Sequence, residues 1–132
     1  MSLGNWMENR TLNHIFGKQI YTPQALYVGL CRANPGEGGS GSNCNEVTNA
    51  NGYARTAFSA KLATAGIIYN ASEVLFPLAT GNWGVVTHFA LFTSGTYGSG
   101  YLFAYSALSA SRNVTQYSRP RFALNALSIT LD

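Results

Sequence analysis

Charge is what this sequence has least of. Its 132 residues include eight Lys/Arg and five Asp/Glu, 10% of the chain, against roughly 25% in an average soluble domain. Charge keeps an exposed surface solvated and monomeric, so its scarcity predicts a molecule that lives against neighbours. The formal net charge of +3 reflects scarce acids more than abundant bases. The one basic cluster, Arg112, Arg119 and Arg121, contains no run of lysines. A nucleic-acid surface would need a basic stripe reaching phosphates. No nucleic-acid partner is therefore expected, and these arginines are read as solvated or as pairing with another subunit.

Long apolar runs are missing too. None approaches the roughly 20 residues of a membrane helix, which argues against a membrane partner. The start, Met1-Ser2-Leu3-Gly4-Asn5-Trp6-Met7-Glu8, lacks the basic segment and apolar core of a secretory signal, so synthesis in the cytoplasm is expected. Cysteine is limited to Cys31 and Cys44, flanking a Gly-rich stretch. Without a nearby His or further Cys they do not make a four-ligand zinc site. A disulfide between Cys31 and Cys44 stays open, with reduced thiols favoured by cytosolic synthesis.

Catalytic groups are equally sparse. The acids are Glu8, Glu37, Glu46, Glu73 and Asp132, and no two are close in sequence. A glycosidase needs two carboxylates flanking one bond, and a hydrolase here would need Glu46, Glu73 and His88 to converge in one cleft. Gly39-Ser40-Gly41-Ser42 lies in a loop, not on the strained strand-to-helix turn of a nucleophile elbow. His88 reads as a core histidine bonded to backbone. No catalytic residue, metal site or cofactor is expected, and the chain is read as a non-enzyme.

What is present is apolar and aromatic: 46% hydrophobic and 13% aromatic, too rich for disorder. A single β-rich domain over residues 1–132 is expected, with one N-terminal helix. Over residues 2–16, Leu3, Trp6, Met7, Leu12, Ile15 and Phe16 fall on one helical stripe, with Ser2 as cap and Gly17 as a left-handed end. Trp6 and Phe16 would pack that helix on a sheet or, alternatively, on a neighbouring subunit.

From residue 23 onward the pattern is short strands broken by turn signals. The strand cores are Leu26-Tyr27-Val28-Gly29-Leu30-Cys31, Tyr53-Ala54-Arg55-Thr56-Ala57-Phe58, Ile67-Ile68-Tyr69, Val74-Leu75-Phe76, residues 83–92, residues 101–106 and residues 126–131. Residues 83–92 have no polar face and should form a central strand covered on both sides. About seven or eight such strands indicate an antiparallel sandwich or jelly-roll-like fold over residues 23–132. Residues 36–43 read as a flexible, exposed connection.

Three stretches carry a family likeness. Leu26-Tyr27-Val28-Gly29-Leu30 is followed by Ala33-Asn34-Pro35-Gly36; Glu46-Val47-Thr48 leads to Gly52-Tyr53-Ala54-Arg55; and Val74-Leu75-Phe76-Pro77 precedes Ala79-Thr80-Gly81-Asn82-Trp83-Gly84-Val85-Val86-Thr87-His88. In order and spacing the chain resembles short tailed-phage virion proteins labelled tail-fibre proteins. It departs from them at an inserted Cys44-Asn45 and at Ser118-Arg119-Pro120-Arg121, where a Gly-Asp turn is expected. The resemblance implies a structural protein of the virion, working as a symmetric oligomer, with a trimer as the natural guess. Its place would be a capsid decoration or cement, or a tail or baseplate component. Its partners would be copies of itself and the major capsid or tail proteins, with host-surface glycans as the alternative. The candidate contact residues are Trp6, Phe16, Tyr97, Tyr101, Arg119 and Arg121.

Overall fold

The computed structural model describes residues 1–131. Its strands, in chain order, are β1 (Ser2–Leu3), β2 (Leu26–Cys31), β3 (Thr56–Phe58), β4 (Ile67–Tyr69), β5 (Val74–Leu75), β6 (Gly84–Phe92), β7 (Leu102–Val114), β8 (Arg121–Phe122) and β9 (Ser128–Thr130), with helix α1 (Asn5–Ile15) after β1. The all-β class with one N-terminal helix holds. A five-stranded sheet runs in the order β1-β7-β6-β2-β3, beside two-stranded ribbons β4-β9 and β5-β8. Every pairing is antiparallel.

β6 is central, as its lack of a polar face requires. One face of the sheet, with Val28, Leu30, Phe89 and Leu91, packs on Val74, Phe76, Leu127 and Ile129 from around the ribbons. The opposite face buries Cys31, Ala90 and Phe92 with Leu102 and Cys44. The second layer is thus built of short ribbons because β4, β5, β8 and β9 are only two or three residues long.

Two departures from the sequence pattern have clear causes. Strict alternation sets Val86 with His88, Ala90 and Phe92, yet Val86 packs with Phe89 and Leu91. Between the pairs Val86↔Arg112 and His88↔Ala107 the register slips. One residue of β6, Thr87, stands against residues 108–111 of β7, and such a bulge reverses which side faces the core. β7 itself extends through Val114 because pairing with β6, not its own polar sequence, holds residues 107–114 extended.

The helix also differs from expectation. It starts at Asn5 with Gly4 as N-cap and no side-chain cap bond, because Ser2 pairs with Tyr105 in β1 instead. Gly17 does end it in the left-handed region, at φ 68°. Of the predicted stripe only Met7 is buried in α1. Leu12, Ile15 and Phe16 are exposed, Phe16 by 71%, because the helix meets the sheet only along its first turns.

Candidate functional site

The most organised polar arrangement lies on the sheet face that carries Gly29. Beyond its pairing with β3, the edge of β2 is closed by other groups: the Leu30 amide donates to the Tyr53 hydroxyl at 3.0 Å, and Val47 N–H donates to Leu30 O at 2.9 Å. Tyr53 in turn donates to Glu46 Oε1 at 2.6 Å. Burial and the adjacent Glu46 carboxylate push the Tyr53 phenol far above its usual range.

Arg55 completes this centre. Its side chain is 0% exposed and that of Glu46 is 3% exposed. Nε donates to Glu46 Oε1 and Nη2 to Oε2, both at 2.9 Å. Nη2 also donates to Gly41 O at 3.0 Å, and Nη1 donates to Ser94 O and Ser99 O, both at 2.8 Å. All five guanidinium N–H groups therefore have acceptors. The cation also lies over the Phe92 ring, 3.8 Å from its centroid. This is a structural clamp: one side chain ties the Gly-rich loop and the turn before β7 to the sheet.

The clamp corrects the expectation of a floppy segment at residues 36–43. Gly41 N–H donates to Gly100 O at 3.0 Å, and Asn5 N–H donates to Glu37 O at 2.9 Å. Ser40 bridges both Asn43 and Tyr101. A Cβ on Gly41 would collide with the Ser99 carbonyl. The loop is fastened at both ends and along its middle.

Beside the clamp, Cys31 and Cys44 are buried free thiols. The neighbouring Cys44 thiol, together with burial, pushes the Cys31 thiol well above its usual range.

The residues that a hydrolase would use are not united. Glu46 belongs to Arg55, while Glu73 pairs with Arg121 at 3.1 Å on the surface. His88 Nδ1 and Thr87 Oγ1 are 2.8 Å apart, so its partner is a neighbouring side chain, not the expected backbone group. Among the described residues no group of three or more His, Cys, Asp or Glu could hold a metal ion, and no helix is long and apolar enough to cross a membrane.

The candidate contact residues separate into four settings. Trp6 stacks on Tyr101, 4.5 Å between centroids and 5° between planes, with the Arg10 guanidinium over the Trp6 ring, 5.3 Å from its centroid; that stack docks α1 within the chain. Tyr97 meets Tyr53 edge-on at 6.2 Å. Phe16 projects freely, as do Ile20 and Leu62, 83% and 94% exposed. Arg119 and Arg121 line a groove with Arg112.

The sequence pattern puts Tyr53 and Arg55 in one strand core, 53–58, and assigns Arg55 no role. The available signal was the rarity of charge. In so neutral a chain, an acid and an arginine nine residues apart across an Asn51-Gly52 turn are natural partners.

The stretches behind the family likeness are the ones that build this core. Trp83 Nε1 donates to Asn51 O at 2.8 Å, Trp83 meets Tyr53 edge-on at 5.3 Å, and Phe76 and Ala79 are fully buried. No curated protein matches the chain. A family model described as Podophage GP4 fiber I protein gp80 matches residues 2–130, and the chain therefore belongs to this family of phage fibre proteins, as a structural component of the virion.

Proposed function

We propose that this fibre-family protein works as a small adhesive module that binds copies of itself, and through them neighbouring virion proteins, by the apolar end around α1. The observation that carries the reading is the coincidence there of projecting apolar side chains and an apolar recess. Met7 and Thr11 of α1 line a recess of about 290 Å³ with Leu26, Phe58, Ile68 and Ile129. Past it, the same helix exposes Leu12 and Ile15, followed by Phe16 and Ile20. Leu62, exposed, adjoins the lining residue Ala63, and the exposed Leu131 itself lines the recess. A surface that offers both knob and hole is self-complementary, which is what a closed symmetric oligomer requires. Exposed apolar side chains beside an apolar recess are surface of the kind that marks interaction sites.

A trimer is the stoichiometry proposed. Light scattering coupled to size exclusion should report three copies for the wild type and one for Phe16→Asp. A wild type that stays monomeric at high concentration would refute the proposal. Labelled electron micrographs of the particle then separate a fibre position, which the family match supports, from capsid decoration.

A further inference from the structure

A second feature lies at the other end of β7 and has a different chemistry. A groove of about 440 Å³ runs between residues 108–114 of β7 and residues 118–122. It is within the range of about 300–1,000 Å³ typical of small-ligand sites. Its floor is apolar, from Leu30, Val86, Leu108 and Phe122, and its rim carries Arg112, Arg119 and Arg121. Ser109, Asn113 and Ser118 add hydroxyl and amide groups, and among the described residues no carboxylate lines it.

The bulge creates this opening. Residues 108–111 stand opposite Thr87 alone, and three of them, Leu108, Ser109 and Ala110, line one wall. Bulges of this kind often sit beside binding sites. The other wall is held by ladder bonds: Phe76 N–H donates to Pro120 O at 3.0 Å and Ala79 N–H to Ser118 O at 2.8 Å.

The three cations share this groove without full neutralisation. Among the described residues, Arg112 has no side-chain hydrogen bond or ion pair. Arg119 is oriented by Nε donating to Phe76 O at 2.9 Å, which leaves its two terminal nitrogens available. Arg121 shares Nη1 with Glu73 at 3.1 Å in a pair that is 66% and 41% exposed, where water screens the attraction. Forked guanidinium groups are suited to carboxylate and phosphate oxygens.

We infer that this groove binds an anionic saccharide, with a carboxylate or phosphate held by the arginines and the sugar face on Phe122, Pro120 and Leu108. A nucleic-acid strand would need an extended basic track and exposed aromatic platforms, whereas this site is one bounded groove. An acidic peptide added as a strand would need a regular edge, and the bulge interrupts the one at hand.

The test is calorimetry with four probes: trigalacturonate, its methyl ester, glucose 6-phosphate and hexaglutamate. Binding of trigalacturonate or glucose 6-phosphate at least tenfold tighter than the neutral ester supports the site, and the tighter of the two identifies the anionic group. Arg112→Ala should weaken that binding at least tenfold with an unchanged melting temperature, since the Arg112 side chain holds no other described residue. Arg121→Gln provides a second, independent removal of charge with the same expected loss. Three results would overturn the inference: no binding of either charged sugar, equal binding of the ester, or binding indifferent to both substitutions. Tighter binding of hexaglutamate than of either sugar would also overturn it, in favour of an acidic peptide.

Discussion

At the scale of single residues, the Arg55–Glu46 pair decides how this fold is fastened. Two buried charges lose hydration on folding, and their attraction offsets that loss only when geometry is good and the remaining donors are satisfied. Both conditions are met here, with two parallel bonds to the carboxylate and three to carbonyls. Removing one partner leaves an unpaired buried charge, so Arg55→Ala is predicted to cost about 3–5 kcal/mol, measured by urea unfolding. Replacing both, as Arg55→Met with Glu46→Leu, should cost clearly less than the sum of the single changes. Additive losses in that double-mutant cycle would contradict the clamp.

Tyr53 gives the same centre a pH signature. Its phenol is neutral in the fold and strongly resists ionisation. In the unfolded chain it titrates near its ordinary value of about 10. Above that pH the unfolded state holds fewer protons than the folded one, so stability falls as pH rises, by about 1.4 kcal/mol per unit for this group. Below about pH 10 its contribution is fully present. Tyr53→Phe should lower stability at neutral pH by about 1–3 kcal/mol, because the Leu30 amide and Glu46 lose a partner. It should also flatten the decline above pH 10. Parallel pH curves for the two proteins, followed by thermal melting, would show that this phenol is not held neutral by the fold.

At the scale of elements, most strands were legible because their signal is local. β2, β4 and β6 coincide with apolar, β-branched or aromatic runs bounded by Pro, Gly and Asn. What was not legible depends on partners. β1 and β8 are two-residue strands that exist through Tyr105 and Val74 across from them, and the bulge at Thr87 changes the facing of Val86 without any mark in the sequence. The stripe on α1 was readable, but whether it is covered depends on where the sheet ends. The Gly-rich loop is the clearest case. Its composition is that of a free linker, and its order comes from Arg55, fourteen residues beyond Gly41. Gly41→Ala therefore tests an ordered loop directly. The added methyl meets the Ser99 carbonyl, and overpacking of this kind costs about 1–3 kcal/mol. A flexible loop would absorb the change, and an unaltered unfolding midpoint would reveal it.

At the scale of the whole molecule, the start and the end of β7 oppose each other chemically. Phe103 lines the apolar recess beside α1, while residues 108–114 line the cationic groove. Apolar association and anion binding respond to solution conditions in opposite ways, so one protein preparation separates them. Contacts through Phe16, Ile20 and Leu62 should persist in 1 M sodium chloride, where the screening length is about 3 Å, and strengthen in sulfate. Their formation should show a negative heat-capacity change, the mark of buried apolar surface. Binding at Arg112 and Arg121 should weaken steadily over the same salt series. Sedimentation velocity across that series should thus show intact oligomers at high salt while saccharide binding fades. Oligomers that dissociate as sodium chloride rises would place the subunit contact on charged groups instead, and the arginines, not the end of α1, would then hold the copies together.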